Sequence, residues 1–110
     1  MLTCRLLKLH CYISDEKADE VFLKKDKKRV WPTDKKYIEM TDSELKLGLD
    51  IPAERDDMIE LELWDYDTWS PNDKLGTFKM LVDQRGGPYT SDLLGEKGSG
   101  AKYSLEWEVV

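Results

Sequence analysis

The residues best suited to chemistry lie in one polar stretch, residues 64–76. Asp65, Asp67 and Asp73 are spaced two and six residues apart, after an alternating apolar segment and before a Leu-Gly pair. A loop that folds back on itself brings carboxylates at these spacings together. Calcium binds six to eight oxygens at roughly 2.3–2.6 Å, and clustered carboxylates with loop carbonyls supply them. The stretch therefore predicts a cup for a cation.

This stretch also resembles the third calcium-binding loop of the C2 domain, the calcium-dependent lipid-binding module first described in protein kinase C. The family pattern is an Asp-aromatic-Asp motif, a few residues, a further Asp and a hydrophobic-Gly pair. The matching residues here are Asp65, Tyr66, Asp67, Asp73, Leu75 and Gly76. Upstream, Asp15 and Asp19 resemble the two aspartates of the family's first loop. The likeness covers most of the chain in the order and spacing of its strands, and it is specific in residues 65–76.

The resemblance implies five calcium ligands, which are Asp15, Asp19, Asp65, Asp67 and Asp73. It also places Trp69 where many calcium-dependent members have an apolar residue that inserts into lipid. An exposed indole in a polar loop usually marks an interaction site or an interfacial anchor. The alternative is a ring folded back over its own loop.

The first loop departs from the family pattern. Asp15 and Asp19 are only four residues apart, and Glu20 and Val21 replace the Pro and Tyr that typically follow the second aspartate. Glu16 is then an alternative ligand to Asp15, or the first loop does not reach the cup. Third-loop carboxylates also persist in members that no longer bind calcium. The alternative to a calcium site is a solvated acidic rim, since Asp, Asn and Ser stabilise any tight surface loop.

A second charged cluster has five positive residues within six positions: Lys24, Lys25, Lys27, Lys28 and Arg29. Apolar residues on both sides predict a hairpin with this cluster at its tip. Near an anionic membrane each Lys or Arg contributes about 1 kcal/mol. The same lysines would equally protect the edge of a sheet from pairing. The basic cluster is therefore a candidate lipid contact with an edge-protecting role as its alternative.

Alternation with a period of two indicates the strands that position these residues. It covers residues 7–13, 21–24, 30–31, 37–41, 45–51, 59–63, 75–82 and 103–109. Short strands at intervals of about 8–12 residues predict an antiparallel β-sandwich or barrel. With the resemblance, the expected fold is an all-β, C2-like, antiparallel Greek-key β-sandwich of about seven to eight strands, forming one domain over residues 1–110. Residues 83–100 hold five of the seven glycines and are expected to be mostly loop, with Ser91 capping a short helical turn through Leu94.

Two local features of the strands carry further expectations. Cys4 and Cys11 in one strand would lie roughly 23 Å apart on opposite faces, too far for a disulfide, so both are expected to be free thiols. The adjacent Leu6 and Leu7 break the alternation, which indicates a bulge. Gly76 likewise marks a bulge or a close approach of two backbones.

Composition excludes several functions. The chain has 17 Lys plus Arg against 23 Asp plus Glu, a net charge of −6, which argues against a general nucleic-acid binder. No apolar stretch reaches the roughly 20 residues of a membrane span, and the N-terminus lacks the apolar core of a signal peptide. A soluble, cytoplasmic protein, peripheral to a membrane where it binds lipid, is expected. His10 is the only histidine and is expected on the polar side of the first strand, so no Cys-His or Ser-His-Asp arrangement can be built with any specificity.

These residues suggest three functions. The favoured one is a non-enzymatic C2-like module that uses calcium, Trp69 and the basic cluster to recognise an anionic phospholipid membrane or a protein partner through loops at one end. The alternative is a calcium-independent C2-like domain of a larger assembly or multidomain protein, which binds a protein through edge strands or residues 83–100. A hydrolase with Asp65 and Asp67 as acid and base lacks a nucleophile or a second polar cluster and is disfavoured.

Overall fold

The computed structural model describes all 110 residues and contains ten β-strands. They are β1 (Leu2–Ile13), β2 (Asp19–Lys25), β3 (Lys28–Trp31), β4 (Ile38–Met40), β5 (Ser43–Ala53), β6 (Asp57–Asp65), β7 (Asp73–Val82), β8 (Gly86–Asp92), β9 (Leu94–Gly95) and β10 (Lys102–Val109). The first sheet has the order β5-β1-β10-β8, and the second has the order β3-β2-β6-β7-β9 with β4 beside β2. All pairs are antiparallel, so the predicted all-β sandwich is confirmed, with ten strands rather than seven or eight. No helix is long and apolar enough to cross a bilayer.

The inner faces of the two sheets supply the core. On β6, Ile59, Leu61 and Leu63 are buried while the residues between them are exposed or half-buried. The apolar side chains of β10 are buried in the same alternating way. Together with inward side chains of the other strands, they form one cluster of 22 buried residues. Burial of one face of each sheet therefore accounts for the alternation in the sequence.

A bulge in β1 decides which of its side chains face the core. Leu6 and Lys8 of β1 lie opposite consecutive residues of β10, so Leu7 is the extra residue and the predicted bulge is confirmed. The pairing with β5 shifts at the same place, but there the extra residue is on β5. The extra residue reverses the alternation, and Cys4 and Cys11 are both buried in the core. The expectation that they lie on opposite faces is wrong for this reason. Both are free thiols, as predicted.

The expectation of a loop over residues 83–100 is wrong, because β8 and β9 occupy half of it. β8 is an edge strand paired with β10, and most of its side chains are exposed, so it lacks an alternating pattern. Ser91 caps no helical turn. Its hydroxyl donates to the Lys79 carbonyl at 2.8 Å and accepts from Trp107 Nε1 at 3.0 Å, which joins the two sheets.

The start of β7 is shaped by Gly76. The pairing of β6 with β7 shifts where Leu75 is the extra residue, and a Cβ on Gly76 would lie 2.5 Å from the Leu94 carbonyl oxygen. The bulge and the close backbone approach expected there are both confirmed. As a result β7 begins with Asp73 opposite Asp65.

Candidate functional site

The acidic end of the sandwich is formed by the β1–β2 loop (residues 14–18) and the β6–β7 loop (residues 66–72). They meet because β2 pairs with β6, with Val21 opposite Asp65. Beyond this pair the Glu20 amide donates to Asp65 Oδ1 at 2.8 Å, and the Tyr66 amide donates to the Glu20 carbonyl at 2.8 Å. The fold thus brings the aspartates of both loops to one end of the molecule.

Asp19 lies inside this end, with 0% of its surface exposed. Its Oδ1 accepts hydrogen bonds from the amides of Asp15 and Glu16, each at 3.1 Å. Its Oδ2 accepts from the Asp15 amide at 3.0 Å and from the Tyr103 hydroxyl at 2.6 Å. The single Asp15 N–H is shared between the two oxygens, so three donors in all engage both oxygens of Asp19. The pKa of Tyr103 is raised well above its ordinary value, chiefly by burial and next by the hydrogen bond to Asp19.

Asp65 is also buried, with 4% of its surface exposed, but its only hydrogen bond comes from the Glu20 amide. Burial raises the pKa of Asp65 to about 7; the Glu20 amide opposes this shift, and repulsion from Asp19 and Glu16 adds to it. Its carboxyl group therefore changes charge near neutral pH.

The β6–β7 loop is held by its own polar side chains. Asp67 Oδ1 accepts from the Trp69 amide at 2.9 Å, Asp67 Oδ2 accepts from the Ser70 hydroxyl at 2.6 Å, and the Asp67 amide donates to Asn72 Oδ1 at 2.8 Å. The Ser70 hydroxyl and then the Trp69 amide lower the pKa of Asp67. The Trp69 side chain points into solvent and is 93% exposed, which excludes a ring folded over its own loop.

The other acids of this end are exposed. Asp15 Oδ1 accepts from the Gly100 amide at 2.7 Å, which ties the β9–β10 loop (residues 96–101) to the β1–β2 loop. Partial burial raises the pKa of Glu16, and repulsion from four aspartates of the two acidic loops and adjoining strand ends adds to the effect. Negative charge is therefore concentrated at the end of the molecule that presents Trp69.

The five predicted calcium ligands share this end but do not form a metal centre as they are placed. No group of three or more His, Cys, Asp or Glu side chains is arranged to hold a metal ion. Carboxylate oxygens suit calcium chemically. However, the oxygens of Asp19 and Asp67 are directed at N–H and O–H donors of the protein. The residues therefore do not fit the ion in this arrangement, and calcium binding stays a prediction.

The basic cluster lies away from the acidic end. β2 runs for seven residues from Asp19 at the acidic end to Lys25 at the hairpin tip, a distance of about 20 Å. At the tip Lys25 Nζ lies 2.9 Å from Asp26, while Lys27 and Lys28 are exposed. The hairpin tip and Trp69 are thus at opposite ends of β2 rather than at one end of the sandwich.

Two members of the basic cluster cover aromatic rings on the outer face of the second sheet. Lys24 Nζ lies 4.4 Å from the Trp64 ring centroid, and the Arg29 guanidinium carbon lies 4.4 Å from the Phe22 ring centroid. Phe22 and Trp64 are cross-strand neighbours on β2 and β6. Phe22 lies on the outer face, outside the core cluster, and it is buried there because these cations cover it. Sequence reasoning missed this role for Phe22, since the consecutive apolar residues Val21 to Leu23 show no alternation.

The fold and the loops define the class of this chain as an antiparallel β-sandwich with an acidic loop end. No protein-family model and no curated protein sequence matches the chain. The C2 resemblance therefore rests on the residues that carry it, above all the Asp-Tyr-Asp motif and Asp73.

Proposed function

We propose that the chain is a non-enzymatic, C2-like binding module that contacts an anionic phospholipid membrane with Trp69 and the basic cluster. The observation that carries the proposal is the indole of Trp69, 93% exposed on a loop held by internal hydrogen bonds. Tryptophan favours the membrane–water interface, where its ring is apolar and its N–H is hydrated. A loop already held in place loses little conformational freedom on binding.

The basic cluster supports an anionic surface. Lys27 and Lys28 are exposed and make no ion pair within the molecule, so their charges are available to a ligand. Lys24 and Arg29 also make no ion pair, but they cover aromatic rings, and the Arg29 guanidinium donates to backbone carbonyls. Each basic residue near an anionic leaflet contributes about 1 kcal/mol, within a Debye length of the surface.

The positions of the two contacts constrain the orientation. Trp69 and the hairpin tip lie beyond opposite ends of β2, a strand about 20 Å long. A flat surface reaches both only along the outer face of the second sheet, where Lys24 and Arg29 lie. The proposal therefore has this face lying on the membrane, rather than the acidic end pointing straight into it. Calcium binding at Asp15, Asp19, Asp65, Asp67 and Asp73 stays a prediction on which this orientation does not depend.

Sedimentation with vesicles tests the proposal. We expect binding to vesicles of phosphatidylcholine with phosphatidylserine and not to phosphatidylcholine alone. Trp69→Ala should weaken it, and Lys27→Glu and Lys28→Glu should each weaken it by roughly fivefold or more, in proportion to about 1 kcal/mol per charge. Lys46→Glu, the same charge change on an exposed position of the first sheet, is the matched control. Absence of binding to the anionic vesicles, or an equal loss in Lys46→Glu, would exclude the proposal.

A second candidate function is calcium-independent recognition of a protein partner. The observation that favours it is the exposed negative charge of Asp15, Glu16 and Asp73 at the end that presents Trp69, because such a rim opposes an anionic membrane and suits a basic protein surface. Tryptophan is also common among the residues that dominate protein interfaces. A partner retained equally in calcium and in chelator, and lost in Trp69→Ala, would favour this candidate over the membrane.

A further inference from the structure

We infer that Tyr103 takes the place of a cation at the acidic end, so that the three loops there are ordered without calcium. The inference deepens the proposed function, on which it rests only for the use of the loops, by making the presentation of Trp69 independent of the ion. Tyr103 is a positioning residue in this scheme, since it acts through Asp19.

Three donors of the protein hold Asp19. Its two oxygens share the Asp15 amide hydrogen, Oδ1 also accepts from the Glu16 amide, and Oδ2 also accepts from the Tyr103 hydroxyl. The Tyr103 hydroxyl comes from β10 of the opposite sheet, 84 residues further along the chain. No buried side-chain nitrogen or oxygen in the molecule lacks a partner. The donors of the protein thus do for this buried carboxylate what a bound cation does in a metal site, and they engage both of its oxygens.

Hydrogen bonds of the residues near Asp19 also connect the other two loops to it. The same Asp15 whose amide binds Asp19 accepts the Gly100 amide on its side chain, which fixes the β9–β10 loop. On the other side Glu20 bonds to Asp65 and Tyr66, which fixes the start of the β6–β7 loop. All three loops are therefore joined through direct hydrogen bonds between carboxylates, amides and one hydroxyl.

Hydrogen exchange of backbone amides, followed by NMR on the whole chain, tests the inference. In the wild-type protein the amides of Asp15, Glu16 and Gly100 should be equally protected with calcium chloride and with chelator. In Tyr103→Phe the Asp15 and Glu16 amides should exchange roughly tenfold faster relative to Leu63 in the centre of the second sheet, as expected for one lost hydrogen bond to a charged group.

Tyr12→Phe is the matched control, because the Tyr12 hydroxyl lies 2.9 Å from Ser104 on the outer face of the first sheet and does not touch Asp19. A purely structural role of Tyr103 would raise the exchange of Leu63 and of the loop amides alike. The inference is overturned if the loop amides are protected only with calcium, or if the two Tyr→Phe variants change them equally. Vesicles are absent from this experiment, so a failure of membrane binding leaves its result unaffected.

Discussion

Asp19 and Asp67 are the same residue type at the acidic end, and both accept hydrogen bonds from nearby backbone amides, although Asp19 begins β2 and Asp67 lies in the β6–β7 loop. Asp19 is fully buried and is clamped by Tyr103 to the opposite sheet, whereas Asp67 is bonded only within its loop and leaves Trp69 in solvent. Asp19 is therefore part of the core structure, whereas the loop of Asp67 presents the Trp69 side chain to solvent. Aspartates that form one cluster in the sequence can therefore have different roles, because burial and hydrogen-bond donors from distant strands act on some of them and not on others.

The largest expected effect is on stability. Asp19→Ala should lower the free energy of unfolding by about 3 kcal/mol or more, because the Tyr103 hydroxyl and two amides lose their acceptor in a buried position. Asp67→Ala should lower it by much less, since that loop is largely exposed. Urea unfolding at neutral pH measures both values. Equal losses in the two variants would show that burial does not distinguish the two aspartates.

The next effect is a pH dependence that comes from Asp65. Its pKa is about 7 in the folded protein against an ordinary 3.8, so between these values the folded state binds more protons than the unfolded state. The free energy of unfolding then falls as pH rises, by up to about 1.4 kcal/mol per pH unit. Asp65→Asn should reduce this slope between about pH 4 and pH 7 while still accepting the Glu20 amide.

Asp67 should act with the opposite sign. Its pKa is lowered, so the stability it contributes is present above its ordinary pKa and is lost as the pH falls below that value. Urea unfolding across a pH series of wild type, Asp65→Asn and Asp67→Asn separates the two contributions. An unchanged slope in Asp65→Asn would show that its carboxyl group is already charged in acid.

The smallest effect on stability concerns the presentation of Trp69. Asp67→Ala removes the acceptor of the Trp69 amide and of the Ser70 hydroxyl, so the loop should become mobile while the fold is kept. The fluorescence anisotropy of Trp69, measured in a variant whose other tryptophans are Phe, should fall. Ser99→Ala removes the hydroxyl that accepts the Ala101 amide, a comparable bond at the same end, and should leave the anisotropy unchanged. Unchanged anisotropy in Asp67→Ala would mean that other contacts hold the loop.

Local patterns in the sequence were sufficient for the strands of the core. Ile59, Leu61 and Leu63 alternate because one face of β6 is buried, and the spacing from Asp65 to Asp73 places both at adjoining strand ends. The sequence did not predict β8, because an exposed edge strand needs no apolar face and shows no alternation. Cys4 and Cys11 share one face rather than lying on opposite faces, because a single inserted residue in β1 shifts the alternation.

The sequence predicted only some features of the acidic end. Its aspartates are visible as a motif, but the state of Asp19 depends on Tyr103, which is 84 residues away and has the appearance of an ordinary alternating core residue of β10. In the same way, Lys24 and Arg29 appear as a solvated charge run, whereas the rings beneath them are brought there by the pairing of β2 with β3 and β6. Contacts of this kind follow from the register of distant strands, which local spacing does not encode.

The place of β10 beside β1 also governs the order in which the molecule can fold. β6 and β7 are joined by seven residues and can pair early, whereas β1 pairs with β10 across nearly the whole chain, with Cys4 opposite Val109. Closing so long a loop is slow, and β10 is synthesised last. Until then one edge of β1 is open to other chains, as exposed edges are in aggregation. The loop that carries Trp69 can therefore form first, while the clamp on Asp19 closes only with the final strand.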